Sequence, residues 1–94
     1  LKTATYGHAG DGNLHPSILT DVRRTEEMER VEKAVKEIFQ AALALGGTLS
    51  GEHGIGTEKA PFLRMELSEE AINAMKSLKA TWDPNDVLNP GKIF

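Results

Sequence analysis

The sequence predicts an α+β fold: a β-hairpin packed on a long helix, followed by C-terminal helices and an irregular tail. Three observations predict it. Residues 1–8 and 14–20 hold β-favouring side chains with no helical period and flank a run of turn formers. Apolar residues from Met28 to Leu45 recur every three or four positions. Prolines, asparagines and a glycine crowd residues 84–92, where no regular element can persist.

In chain order, Ala9–Asn13 reads as a somewhat long hairpin loop between the two strands. Pro16 has no N–H, which puts its strand at an edge or its nitrogen at an unpaired position. If His8 and His15 lie opposite each other, their side chains leave the same face at the mouth of the loop. The helix expected over 25–45 carries Met28, Val31, Val35, Ile38, Ala42 and Leu45 on its apolar stripe, widened by Ala34 and Phe39. Thr25 is its expected N-cap, Glu26 and Glu27 suit the positive end of the helix dipole, and Gly46-Gly47 is the stop. A short strand at Thr48–Ser50 is expected next, then a short helix or turn within 59–66. Ser68 caps a last helix with Leu67 and Ile72 as a hydrophobic staple, Ile72, Met75 and Leu78 as its buried stripe, and Asp83-Pro84 as its end. The tail beyond needs something outside its own backbone to hold it.

Composition narrows the function classes. The 94 residues suit one small domain, and 39% apolar with 27% charged residues is ordinary for a globular chain. Eleven basic against 14 acidic residues, with no basic run, argue against a nucleic-acid partner. No apolar run approaches a transmembrane length. The absence of cysteine removes disulfides, thiolate nucleophiles and cysteine-ligated zinc, and fits a reducing, cytoplasmic setting. A start at Leu1 suggests a fragment of something longer.

All three histidines fall in two glycine-studded segments, Gly7-His8-Ala9-Gly10-Asp11-Gly12-Asn13-Leu14-His15 and Ser50-Gly51-Glu52-His53-Gly54-Ile55-Gly56. Glycine lets the backbone bend and approach a ligand closely, so this distribution reads as a site. Two imidazoles and a carboxylate, as in His8, His15 and Glu52, would make a catalytic zinc set with one position open; their spacing is not that of a helical zinc-protease motif. The alternative is that these histidines only hydrogen-bond within turns. Adjacent residues of an extended stretch point in different directions, so Glu52 can face a metal while His53 faces a substrate. Histidine is the side chain suited to take a proton near neutral pH. Asn13 shapes the turn and also has the groups to read a substrate carboxylate. A phosphate loop at Gly51–Gly56 lacks its lysine, and a nucleophile at Ser50 lacks the strand-turn-helix elbow.

These two segments, with Asp83-Pro84-Asn85 and Leu88-Asn89-Pro90-Gly91-Lys92, resemble the C-terminal domain of FAD-linked 2-hydroxy-acid oxidases and dehydrogenases. Glycolate oxidase, D-lactate dehydrogenase and D-2-hydroxyglutarate dehydrogenase belong to that family. The resemblance implies a piece of a ferredoxin-like cap domain, spanning residues 1–94, that completes a substrate site over a flavin bound by an upstream FAD-binding domain of the same parent chain. It implies that His8, His15 and Glu52 are ligands of a divalent metal, usually zinc. His53 then takes the substrate hydroxyl proton, Asn13 contacts the substrate, and Asn89 lies in the segment that returns towards the flavin. The substrate is a 2-hydroxy acid, and the family's carboxylate-binding arginine falls before residue 1. Further oxidase subunits are the expected route to any peripheral membrane attachment. The 94 residues alone are expected to be inactive. Two other readings remain open: a metal-binding or self-associating module with no catalytic role, driven by the stripe of the long helix, and a free-standing metal hydrolase.

Overall fold

A computed structural model describes residues 1–94, which form two compact units, Leu1–Gly47 and Thr48–Phe94. The α+β class holds: one two-stranded antiparallel sheet and a set of helices.

In the first unit, β1 (Lys2–His8) and β2 (Asn13–Leu19) form the expected hairpin. A four-residue loop joins them, closed by N–H groups of Asp11 and Gly12 donating to the carbonyls of His8 (3.1 Å) and Ala9 (3.2 Å). The register pairs His8 with Asn13, Tyr6 with His15 and Thr5 with Pro16. His8 is therefore not opposite His15 but diagonal to it, two positions along. The shift is even, so both still leave the same face. Gly7 allows the close approach of the strands: a Cβ there would lie 2.2 Å from the Asn13 carbonyl oxygen.

The long helix is α1 (Thr25–Ala44). Thr25 is not its cap. The Arg24 carbonyl already accepts the Met28 N–H at 2.9 Å, which makes Arg24 the cap residue, without a side-chain bond. Asp21 organises the approach instead, accepting from the Arg23 backbone N–H at 3.0 Å and from its guanidinium at 2.8 Å. The glycine stop is as expected. Gly46 (φ 83°) donates to Leu43 and Gly47 to Ala42, the paired bonds that satisfy the last carbonyls of a Schellman ending. The half-covered face of α1 runs through Met28, Val31, Ala34, Val35, Phe39, Ala42 and Leu43. Ile38 and Leu45, expected on that stripe, are exposed, Leu45 at 88%. No side chain of α1 is fully buried and β1 is exposed throughout, so the expected packing of hairpin on helix is slight at most.

The second unit contains the buried core residues Leu49, Leu63 and Ile72. Thr48–Ser50 is not a strand; Leu49 is instead an anchor, 4% exposed, with its N–H donating to the Glu66 carboxylate at 3.3 Å. A 3-10 turn (Ala60–Phe62) starting around Pro61 leads into the one-turn α2 (Leu63–Glu66). Ser68 caps α3 (Glu69–Trp82) as expected, its hydroxyl accepting from the Ala71 N–H at 3.2 Å. Leu67 is half-buried and Ile72 only 1% exposed, the burial a staple requires. Leu78 departs from the expected stripe and is 61% exposed.

The irregular tail is held by a buried charge. Asp83, 6% exposed, accepts from the N–H groups of Val87 (3.0 Å) and Leu88 (2.9 Å). Lys79 bonds Asp83, Asp86 and the Leu88 carbonyl. The Lys79 hydrogen bond holds the Asp83 carboxyl below the ordinary aspartate range against the opposing effect of desolvation, and Asp83 in turn raises Lys79. Ile93 closes the tail by donating to the Gly56 carbonyl at 2.8 Å.

Candidate metal and proton-transfer residues

The hairpin register gathers three of the sequence-predicted residues on one face. Tyr6–His15 and His8–Asn13 are directly opposed pairs with one pair, Gly7–Leu14, between them, so all four side chains share a face. The imidazoles of His8 and His15 stand edge to face, with centroids 6.1 Å apart and planes at 81°. Each offers a ring nitrogen, and these lie within 4.8 Å of each other. Two nitrogens on a tetrahedral zinc stand about 3.3 Å apart given Zn–N bonds near 2.0–2.1 Å, a separation inside that limit. His15 and Asn13 are half-buried and His8 is exposed, leaving the pair supported from one side and open on the other. The Tyr6 ring lies 5.3 Å from that of His15 and braces it. Tyr6 was not singled out in the sequence; its alternation with His8 along β1 was the available signal.

Glu52 and His53 belong to the second unit, in an exposed bend with no regular structure. The expectation that adjacent side chains point apart is overturned here. The backbone turns instead of extending, and Glu52 Oε1 lies 3.7 Å from His53 Nε2. Ser50 Oγ accepts the Gly54 N–H at 2.7 Å and spans the bend. Asn89 sits in the tail in a left-handed conformation (φ 48°), exposed, one residue beyond the Leu88 carbonyl that Lys79 holds at 3.0 Å. Sequence reasoning also missed Lys79 and Asp83 as the clasp of that tail; an Asp before a Pro signalled only a helix end.

The donors fit a borderline divalent cation by their chemistry: imidazole nitrogens and a carboxylate, with no thiolate in the chain. No helix is long and apolar enough to cross a membrane.

The family described as FAD linked oxidases, C-terminal domain, matches residues 1–93. Among curated proteins the chain is similar to the glycolate oxidase subunit GlcD of Bacillus subtilis, 60% identical over 94 residues, all of this chain and 20% of the relative. It is 45% identical over 94 residues to a mitochondrial D-lactate dehydrogenase [cytochrome] of Arabidopsis thaliana, all of this chain and 17% of that one. A D-2-hydroxyglutarate dehydrogenase of Stutzerimonas stutzeri is 40% identical over 91 residues, 95% of this chain and 20% of the relative. The chain thus spans about a fifth of the length of these relatives. No solved structure matches it.

Proposed function

Because this chain belongs to the family of FAD-linked oxidase C-terminal domains, we propose that it is the C-terminal part of an FAD-dependent oxidoreductase that oxidises a 2-hydroxy acid, of glycolate or D-lactate type, to the 2-oxo acid. The names of its relatives support that substrate class. The observation that carries the reading is the pair His8 and His15, on one hairpin face with ring nitrogens within 4.8 Å and Asn13 beside them.

In this reading His8, His15 and Glu52 hold a divalent cation, with zinc the best match to two imidazoles and one carboxylate. When bound, such a cation supplies Lewis acidity to the substrate hydroxyl, and FAD, held by a domain of the parent chain upstream of these residues, supplies the hydride acceptor. This chain's own residues do the rest. Asn13 donates its amide N–H to the substrate carboxylate and fixes its orientation. His53 takes the hydroxyl proton on an imidazole nitrogen. Asn89 faces the flavin from the clasped tail. A cytoplasmic location, with partner subunits as any link to a membrane, belongs to the same reading.

The exposed Ile38 and Leu45 on α1 favour a second reading, a metal-binding or self-associating module with no catalytic role. One experiment on the polypeptide that carries these residues separates the two. His53→Ala is expected to keep flavin and metal and lose about 10²–10⁴-fold in kcat. His8→Ala is expected to lose metal. Near-normal turnover of His53→Ala removes that residue from the mechanism, and full metal occupancy in His8→Ala removes the ligand assignment.

A further inference from the structure

The segment that carries Glu52 and His53 has no helix or strand to fix it, yet it is pinned on both sides. Before it, Leu49 is buried and its N–H is bound by the Glu66 carboxylate at 3.3 Å. The Thr48 hydroxyl donates to the Ser50 carbonyl at 2.8 Å. After it, the Gly54 N–H donates to Ser50 Oγ at 2.7 Å, with Gly54 at φ 80°. Ser50 is therefore engaged through its carbonyl and its hydroxyl at once. The ring closed by its Oγ encloses Gly51, Glu52 and His53, whose side chains remain exposed.

We propose that Ser50 is a positioning residue: its hydroxyl, by accepting the Gly54 N–H, fixes the bend that presents the Glu52 carboxylate to a divalent cation. The inference rests on the reading of Glu52 as a metal ligand. Glycines at 51 and 54 would otherwise leave this span with many backbone states, and the entropy of ordering them would be taken from the binding free energy. A side-chain acceptor that closes the bend restricts that freedom before the cation arrives. It does so without touching the cation, as residues that orient metal ligands commonly do.

The test is a zinc titration against a competing chromophoric chelator, using the metal-stripped polypeptide that carries these residues. Wild type is compared with Ser50→Ala, Ser50→Thr and Glu52→Ala, and the thermal midpoint of each metal-free protein is recorded. Ser50→Ala is expected to bind zinc about 10-fold or more weakly, with its metal-free thermal midpoint unchanged. Ser50→Thr, which keeps the hydroxyl, is expected to restore affinity. Equal zinc affinity in wild type and Ser50→Ala overturns the inference. So does a loss that Ser50→Thr fails to rescue, because volume and not the hydroxyl is then at issue. Glu52→Ala distinguishes the two levels. If it binds zinc as wild type does, the ligand reading fails and the role of Ser50 falls with it. If it loses zinc while Ser50→Ala keeps it, only the role of Ser50 falls.

Discussion

Replacing Gly7 by alanine tests whether hairpin geometry and cation binding are one property. The new Cβ would lie 2.2 Å from the Asn13 carbonyl oxygen and 2.9 Å from Leu14 Cα, where ordinary contact begins near 3.4 Å. Both obstacles are backbone atoms of the paired strand, so no side chain can swing aside; the strands must part by about 1.2 Å at this point. Overpacking of this kind costs about 1–3 kcal/mol. Gly7 adjoins His8 and pairs with Leu14, which adjoins His15, so the opening falls between the two imidazoles. If the hairpin stays closed, the strain appears as lost stability. If it opens, binding must close it again, and zinc affinity falls about 5- to 160-fold for the same 1–3 kcal/mol. Gly10→Ala is the control, because nothing lies within 4 Å of its added methyl. Thermal unfolding and competitive zinc titration of the three proteins read both channels. A Gly7→Ala protein with wild-type stability and wild-type zinc affinity would refute the reasoning, as would a Gly10→Ala protein equally impaired.

Two further outcomes follow from the second unit. Ile72, 1% exposed, is its most buried large side chain, and Ile72→Ala is expected to destabilise it by about 2–5 kcal/mol in denaturant titration; a loss under 1 kcal/mol, as at a surface position, would contradict the packing. The tail clasp is pH-dependent with a definite sign. Asp83 is depressed below its ordinary 3.8 by the Lys79 hydrogen bond, so its contribution is complete above that value and lost as pH falls through the folded value. Lys79 is raised above its ordinary 10.5, chiefly by Asp83, so its contribution is complete below that value and lost as pH rises through the folded value. The clasp is whole across the neutral range. Hydrogen exchange, corrected for intrinsic rates, is expected to show the Val87 and Leu88 amides losing protection in acid; protection maintained after Asp83 is protonated would contradict the clasp.

The hairpin and its polar face were legible because strand periodicity is short and Thr, Tyr, His and Gly declare it locally. The register was not legible, since it depends on the loop. Four loop residues bonded at His8 and Ala9 set His8 against Asn13, where a six-residue loop would have set it against His15. Ser68 was found as a cap because one short hydroxyl stands directly before the helix. Thr25 misled for the same reason: another acceptor, the Arg24 carbonyl, had already begun the turn. Periodicity located the stripes of α1 and α3 but not their edges, so Ile38, Leu45 and Leu78 were assigned to cover they do not have. For the candidate site, residue types carry the chemistry that is proposed, and the bend that brings Glu52 to His53 had no signal in the sequence. Asp83 was invisible as a buried charge because two of its partners, the Val87 and Leu88 N–H groups, arrive from a tail that turns back on α3.

Pro16 makes the hairpin one-sided. Opposite Thr5 it has no N–H to exchange, so the two cannot form a hydrogen-bonded pair, and the backbone positions at Thr5 and Pro16 face outwards along the two edges. On the β2 edge the proline nitrogen leaves a gap and its ring occupies the space a neighbouring chain would need. On the β1 edge, Thr5 keeps both donor and acceptor. The two edges of this sheet are therefore unequal: at this position β1 offers a full set of backbone groups for a further strand to pair with, and β2 does not.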